Sequence, residues 1–146
     1  MQVPLFKMHQ AAKLPQYQTV GSAGADLYAR LDEPYTLEPF ERVIIPTGVG
    51  IALPHGVEAQ VRARSGLSSK FGITLANGIG TIDSDYRGEI GVALINLSQD
   101  DFVIEPDMRI AQLVLARYEQ ADWQEVDTLE VSQRGESGFG STGSVN

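Results

Sequence analysis

From position 57 to 64 the chain alternates without a break: Val57, Ala59, Val61 and Ala63 are apolar, while Glu58, Gln60, Arg62 and Arg64 are polar. A period of two belongs to a strand, so one face of this strand packs inward and the other meets solvent. β-rich runs at 25–30, 42–53, 71–75, 79–82, 90–97 and 102–104 predict further strands, divided by Gly, Pro or Asp-rich breaks. The 15 Gly and 7 Pro interrupt nearly every segment before Pro106, which leaves little room for helices of ordinary length. Many short strands at regular spacing predict an all-β sandwich or barrel.

Two stretches are less direct. Residues 109–118 fit a strand, but Ile110, Leu113, Val114 and Tyr118 also fit helical spacing; the neighbouring strands favour a strand. Residues 65–71 open with a hydroxyl followed by helix-compatible side chains, which predicts one helical turn with Ser65 at its cap. The last thirteen residues, 134–146, contain four Gly and almost no core-forming side chains, and by composition alone they read as a frayed tail.

Length and charge narrow the possibilities. The 146 residues suit one domain, and a net charge of −8 disfavours a general nucleic-acid binder. With no Cys and only His9 and His55, disulfide frameworks, Cys-based zinc sites and thiol nucleophiles are excluded. Both histidines read as structural or surface residues. Any metal would need oxygen ligands, as Mg²⁺ does. No apolar stretch approaches the ~18 residues of a membrane span and the N-terminus lacks a signal peptide's apolar core, so a soluble cytoplasmic protein without a membrane partner is expected.

Four constellations could carry chemistry. Arg64-Ser65-Gly66-Leu67 sets a guanidinium, a hydroxyl and an open amide at a strand end, a place to hold phosphate or a simple capped turn. Asn77-Gly78 is a strong turn signal, and with residues 80–89 it predicts a hairpin with polar groups at one end. Asp83, Asp85 and Glu89 would repel one another at one site unless a metal or Arg87 intervened; solvated turn acids are the plain alternative. Asp26 stands at the start of an apolar strand, where it could orient metal-bound water or cap a turn. Gln112 lies within the apolar run 110–115 and needs a partner if buried.

In order, these segments resemble the five motifs of the trimeric dUTPases. Ala23-Gly24-Ala25-Asp26-Leu27 is similar to the first, Arg64-Ser65-Gly66-Leu67-Ser68 to the second, and Gly80-Thr81-Ile82-Asp83-Ser84-Asp85-Tyr86-Arg87-Gly88 to the third. Arg109-Ile110-Ala111-Gln112-Leu113 resembles the fourth, and Arg134-Gly135-Glu136-Ser137-Gly138-Phe139-Gly140-Ser141-Thr142-Gly143 the fifth.

The resemblance implies a jelly-roll, β-barrel-like domain (a β-clip) over residues 1–133, with at most one short helix. It implies a homotrimer in which three subunits build each active site, and it recasts 134–146 as an arm closing over a neighbour's site. The implied activity is hydrolysis of dUTP to dUMP and pyrophosphate with Mg²⁺, which keeps uracil out of DNA and supplies dUMP for thymidylate synthesis. By resemblance, Asp83 is the general base that activates water. Arg64, Ser65 and Gly66 hold the phosphates, and Asn77, Gly80 and Ile82 read the uracil. Tyr86 lies beneath the deoxyribose and blocks a 2′-hydroxyl. Asp26 and Gln112 reach Mg²⁺ through water. In the arm, Phe139 stacks on the uracil while Arg134, Gly140, Ser141 and Thr142 contact the substrate. Two other functions share this pattern in part. A dCTP deaminase-like enzyme would need a catalytic Glu in the base pocket, and a non-catalytic nucleotide-binding domain would not need the intact acid, phosphate, metal and arm motifs.

Overall fold

The computed structural model describes residues 1–136. Within them the chain forms eleven strands and one short helix: β1 (Leu5–Lys7), β2 (Ala25–Tyr28), β3 (Tyr35–Leu37), β4 (Arg42–Pro46), β5 (Val49–Ile51), β6 (Val57–Ala63), α1 (Ser65–Phe71), β7 (Ile73–Leu75), β8 (Gly80–Ile82), β9 (Gly91–Asn96), β10 (Phe102–Ile104) and β11 (Arg109–Arg117). All pairings are antiparallel, in four small sheets: β2-β11-β6-β8, β4-β9-β7, β1-β5 and β3-β10. Together they enclose one core in the barrel-like, jelly-roll arrangement expected from the sequence.

Alternation explains how that core forms. In β6, Val57, Ala59 and Val61 are buried while Glu58, Gln60 and Arg62 turn outward and hydrogen-bond along the strand. Leu27, Leu37, Ile45, Ile73, Val92, Leu94, Ile104 and Ile110 meet these residues from the other strands and are almost wholly excluded from solvent. At about 25 cal/mol per Å² of apolar surface, this burial is the main term holding the small sheets together. No helix among the described residues is long and apolar enough to cross a membrane.

Several boundaries differ from the sequence reading. The run at 42–53 is two strands, because Pro46 has no N–H to donate and the chain turns at Thr47–Gly48; β4 then pairs with β9 and β5 with β1. Phe71 ends α1 instead of opening a strand. Ser65 is the first helical residue and not the cap, a position Arg64 takes in extended conformation with no side-chain capping bond. Asn77–Gly78 does turn the chain, but β7 pairs with β9 and β8 with β6, so the two arms leave for different sheets and no hairpin ladder forms. The strands β1 and β3 escaped the sequence reading. Beyond β11, residues 119–136 form no strand or helix and lie exposed, including Trp123, whose relative exposure is 90%.

Candidate active site

The turn at Asn77–Gly78 and the third motif after it build a cavity. Leaving the turn at Asn77–Gly78, β8 runs along β6 with Ala59 opposite Ile82 and Val61 opposite Gly80. Gly80 lets that approach happen, since a Cβ there would stand 3.1 Å from the Val61 side chain and 3.4 Å from the Asn77 amide nitrogen. The other edge of β8 has no strand partner among the described residues, so its backbone groups face outward. Asn77, Thr81, Ile82, Asp83 and Tyr86 then line one side of a cavity of about 360 Å³, with Ile44, Gly91 and Ala93 of β4 and β9 on the other. That is a volume ordinary for a small-ligand site.

Asp83 also borders a second, more polar cavity of about 660 Å³, lined by His55, Glu58, Ser84, Asp85 and Tyr118. Its carboxylate is exposed and makes no hydrogen bond or ion pair among the described residues. Tyr86 is half-exposed but fixed, because its hydroxyl donates to the Glu89 carbonyl at 2.9 Å and its ring lies over Gly88. Arg87 donates to the carbonyls of Ser84 and Tyr86, and Glu89 accepts from the Gly48 amide at 2.6 Å. Arg87 and Glu89 therefore shape the loop.

The first, second and fourth motifs meet elsewhere, where β2, β11 and β6 run side by side. Gln112 stands opposite both Asp26 and Arg62 in register. Asp26 is only 2% exposed, and Arg109 Nη1 approaches its Oδ2 at 3.1 Å while Arg64 Nε lies 3.3 Å from Oδ1. The Arg64 contact is one of charge and not a directed hydrogen bond, which leaves Oδ1 buried without a donor. Arg64 also donates to the Arg109 carbonyl at 3.0 Å. A guanidinium carries five N–H donors, so these contacts leave others for a ligand. Gln112 is half-buried and lies against Gly24, where a Cβ would come 3.1 Å from its own. Ser65 and Gly66 are exposed, with open space above Gly66.

Cation chemistry at this corner is constrained by the donors present. Among the described residues no three acidic or His side chains gather into a protein cage. What exists is a buried, donorless carboxylate oxygen on Asp26 beside the Gln112 amide. Such a pair fits a hydrated Mg²⁺ that takes most of its direct oxygen contacts from phosphates and water.

The two groups are far apart within one chain. Asp83 follows the residue opposite Ala59, so it is level with Glu58, and Arg64, extended just past the end of β6, lies six residues further on, about 20 Å away at ~3.3 Å per residue. Arg134 is exposed in the segment beyond β11; Phe139, Gly140, Ser141 and Thr142 lie outside the described residues.

The sequence signature of the dUTPase family matches residues 10–143. The chain belongs to the dUTPase family. Curated members similar to it are named deoxyuridine 5'-triphosphate nucleotidohydrolase. The one from Orientia tsutsugamushi (strain Boryong) is 52% identical over 139 residues, covering 95% of this chain and 94% of the relative. The one from Rickettsia bellii (strain OSU 85-389) is 60% identical over 131 residues, covering 90% and 87%. Among solved structures, the Staphylococcus bacteriophage 80alpha dUTPase with dUPNHPP superposes with a TM-score of 0.85 at 26% identity, covering 98% of this chain and 99% of that one. That similarity extends over all four sheets of the dUTPase fold described above.

Sequence reasoning named Asn77, Ile82, Asp83 and Tyr86, and the structure brings them around one cavity; Gly80, also named, stands behind it against Val61. It missed Ile44, Thr81, Gly91 and Ala93, which complete the lining, and Gly88, which carries the Tyr86 ring. Gly91 had a signal of sorts: a Cβ there would meet the Ile44 side chain at 2.7 Å, so a glycine was needed at the start of an otherwise apolar strand.

Proposed function

We propose that this chain hydrolyses dUTP to dUMP and pyrophosphate, with water attacking the α-phosphorus and Asp83 as general base. The observation that carries this reading is the shared cavity. One short segment offers a hydrogen-bonding strand edge and apolar walls for a base, then ends in an exposed carboxylate. The names of the curated relatives and the nucleotide analogue in the phage structure support the same substrate.

The outer edge of β8 and the Asn77 amide present donors and acceptors to the uracil edge, as an edge strand does to an added strand. Pairing buried polar groups with one base rejects a base of the wrong pattern by ~10⁴–10⁵, while the methyl of thymine is kept out by the rigidity of the walls. Tyr86, locked over Gly88, packs against the deoxyribose and leaves no room for a 2′-hydroxyl. Asp83 orients the water and takes its proton as the bond to phosphorus forms, an effect worth ~10²–10⁴-fold.

Arg64, Ser65, Gly66 and Gln112 donate to the phosphate oxygens. A base and the donors acting on one phosphate chain must lie within a few bond lengths of each other, and about 20 Å of β6 separates them within a chain. The site is therefore composite: Asp83 of one subunit works with Arg64, Ser65 and Gln112 of another in a homotrimer. Arg134, Phe139, Gly140, Ser141 and Thr142 of the fifth motif are proposed to contact the substrate, as the family resemblance implies. Asp26 and Gln112 would hold Mg²⁺ through water, and the ion would supply positive charge to offset the negative charge developing on the leaving pyrophosphate.

Pyrophosphate release measured with dUTP, dCTP, dTTP and UTP, with and without Mg²⁺, tests this reading. Hydrolysis of dUTP alone, dependent on Mg²⁺, is expected, and ammonia release from dCTP would point to a deaminase. Asp83→Asn should keep the fold and nucleotide binding and lose ~10²–10⁴-fold in kcat. Turnover at the parental rate would remove Asp83 from the mechanism.

A further inference from the structure

The loop after β8 carries the proposed base, and most of what shapes it is internal. The Tyr86 amide donates to the Asp83 carbonyl at 3.2 Å, the Tyr86 hydroxyl to the Glu89 carbonyl, and Arg87 to the carbonyls of Ser84 and Tyr86. Side-chain hydrogen bonds tie the loop to the rest of the molecule at three places among the described residues, one of them the Thr47 hydroxyl donating to the Ile90 carbonyl at 2.6 Å where the loop enters β9. Another is at its far end, between the Glu89 carboxylate and the Gly48 amide. The third is one residue from Asp83, where the Ser84 and Tyr118 hydroxyls stand 3.1 Å apart in a part-buried setting.

Tyr118 is well placed to act as a fixed post. Its amide donates to the Gly56 carbonyl at 3.2 Å just beyond the end of β11. Its ring tilts against His55, with centroids 6.4 Å apart and planes at 58°. Tyr118 lines the larger polar cavity with Asp83 but takes no part in the wall shared with Asn77 and Ile82. The hydroxyl thus reaches the loop from behind the base.

We infer that Tyr118 is a positioning residue for Asp83, acting through its hydrogen bond to Ser84. The inference rests on Asp83 being the general base. Among the described residues the Asp83 side chain has no partner of its own, so the aim of its carboxylate depends on where the backbone at Asp83–Ser84 is held. A displacement of 1 Å from the productive geometry can cost ~10²-fold in rate. Loosening one of three anchors, the one beside Asp83, is a smaller disturbance than that.

Steady-state hydrolysis of dUTP by the full chain with Tyr118→Phe, Ser84→Ala or both tests the inference. Each single change removes the same hydrogen bond, so kcat should fall about three- to tenfold with KM within about twofold, and the double variant should fall no further than the weaker single one. Thermal midpoint and assembly should stay near parental, since Phe keeps the ring against His55. Should Tyr118→Phe fail to fold, Ser84→Ala reads the same bond from the other side. Parental kcat in both single variants, a loss confined to KM, or losses that multiply in the double variant would overturn the tether. Asp83→Asn, measured alongside, separates the two levels. If it hydrolyses dUTP normally, the base assignment fails and the tether's role with it; if it is inactive while Tyr118→Phe and Ser84→Ala are unaffected, only the tether fails.

Discussion

A Cβ added at Gly88 would stand 2.2 Å from the Tyr86 hydroxyl and 2.5 Å from the ring carbon that bears it. No side chain fits while the ring lies there. The obstructing atoms belong to the far end of an exposed side chain, so in Gly88→Ala the ring swings away and the backbone stays. We expect a folded protein whose preference for dUTP over UTP, as a ratio of kcat/KM, drops about tenfold, or ~1.4 kcal/mol. An unchanged ratio would show that Tyr86 does not guard the sugar. Single residues were legible only through the ordered motifs: alone, Asp83 reads as a solvated turn acid and Gln112 as a polar residue in an apolar run, and their roles come from the resemblance. Their supports were not legible at all. Asp26 meets Arg109 across 83 positions of sequence, and Tyr118 meets Ser84 across 34, contacts that only strand register creates.

Among the elements, β11 shows why periodicity left strand and helix open. Its register against β2 shifts between Arg109 and Ala111, and this bulge turns Ile110 and Ala111 both inward, at 1% and 0% exposure. Two adjacent buried residues break the alternation and imitate helical spacing. From Ala111 onward, Leu113 and Leu115 keep the strand's period. The strands β1 and β3 went unseen for a different reason: β1 is exposed throughout, and β3 buries only Leu37 of its three residues. In β3 the Tyr35 hydroxyl donates to the Glu41 carboxylate, which the Glu38 amide also approaches at 2.8 Å. The tyrosine hydrogen bond, then the backbone one, hold the Glu41 carboxyl below its ordinary value, and the same bond pushes the Tyr35 hydroxyl up. A depressed carboxyl stabilises the fold above its unfolded value, near ~4.3, and that contribution is lost as pH falls through the lower folded value. A raised phenol contributes below ~10 and loses its contribution as pH rises through the higher folded value. Tyr35→Phe should therefore flatten thermal midpoint against pH in both windows and lower it most between them. Identical pH profiles for parent and variant would exclude a role for the pair in stability.

At the scale of the molecule, the separation of Asp83 from Arg64 along β6 makes a specific demand on assembly. Chains carrying Asp83→Asn and chains carrying Gln112→Ala should each be nearly inactive alone. Mixed by co-refolding, they should regain a fraction of parental turnover, because some sites then draw an intact Asp83 from one chain and an intact Gln112 from another. If both residues served a single chain's site, mixing would restore nothing. Charge is distributed in keeping with a phosphate ligand. Glu119, Asp122, Glu125, Asp127 and Glu130 follow the last strand without a base among them, and they account for five of the eight net negative charges. The strands that carry the site are thus much closer to neutral than the whole chain. The same exposed segment holds Trp123, the protein's single tryptophan. Indole emission therefore monitors one spot outside the barrel. A melting curve followed at that wavelength would track the segment while the core came apart unseen, whereas a shift on mixing subunits or adding nucleotide would read the segment's docking against an otherwise dark background.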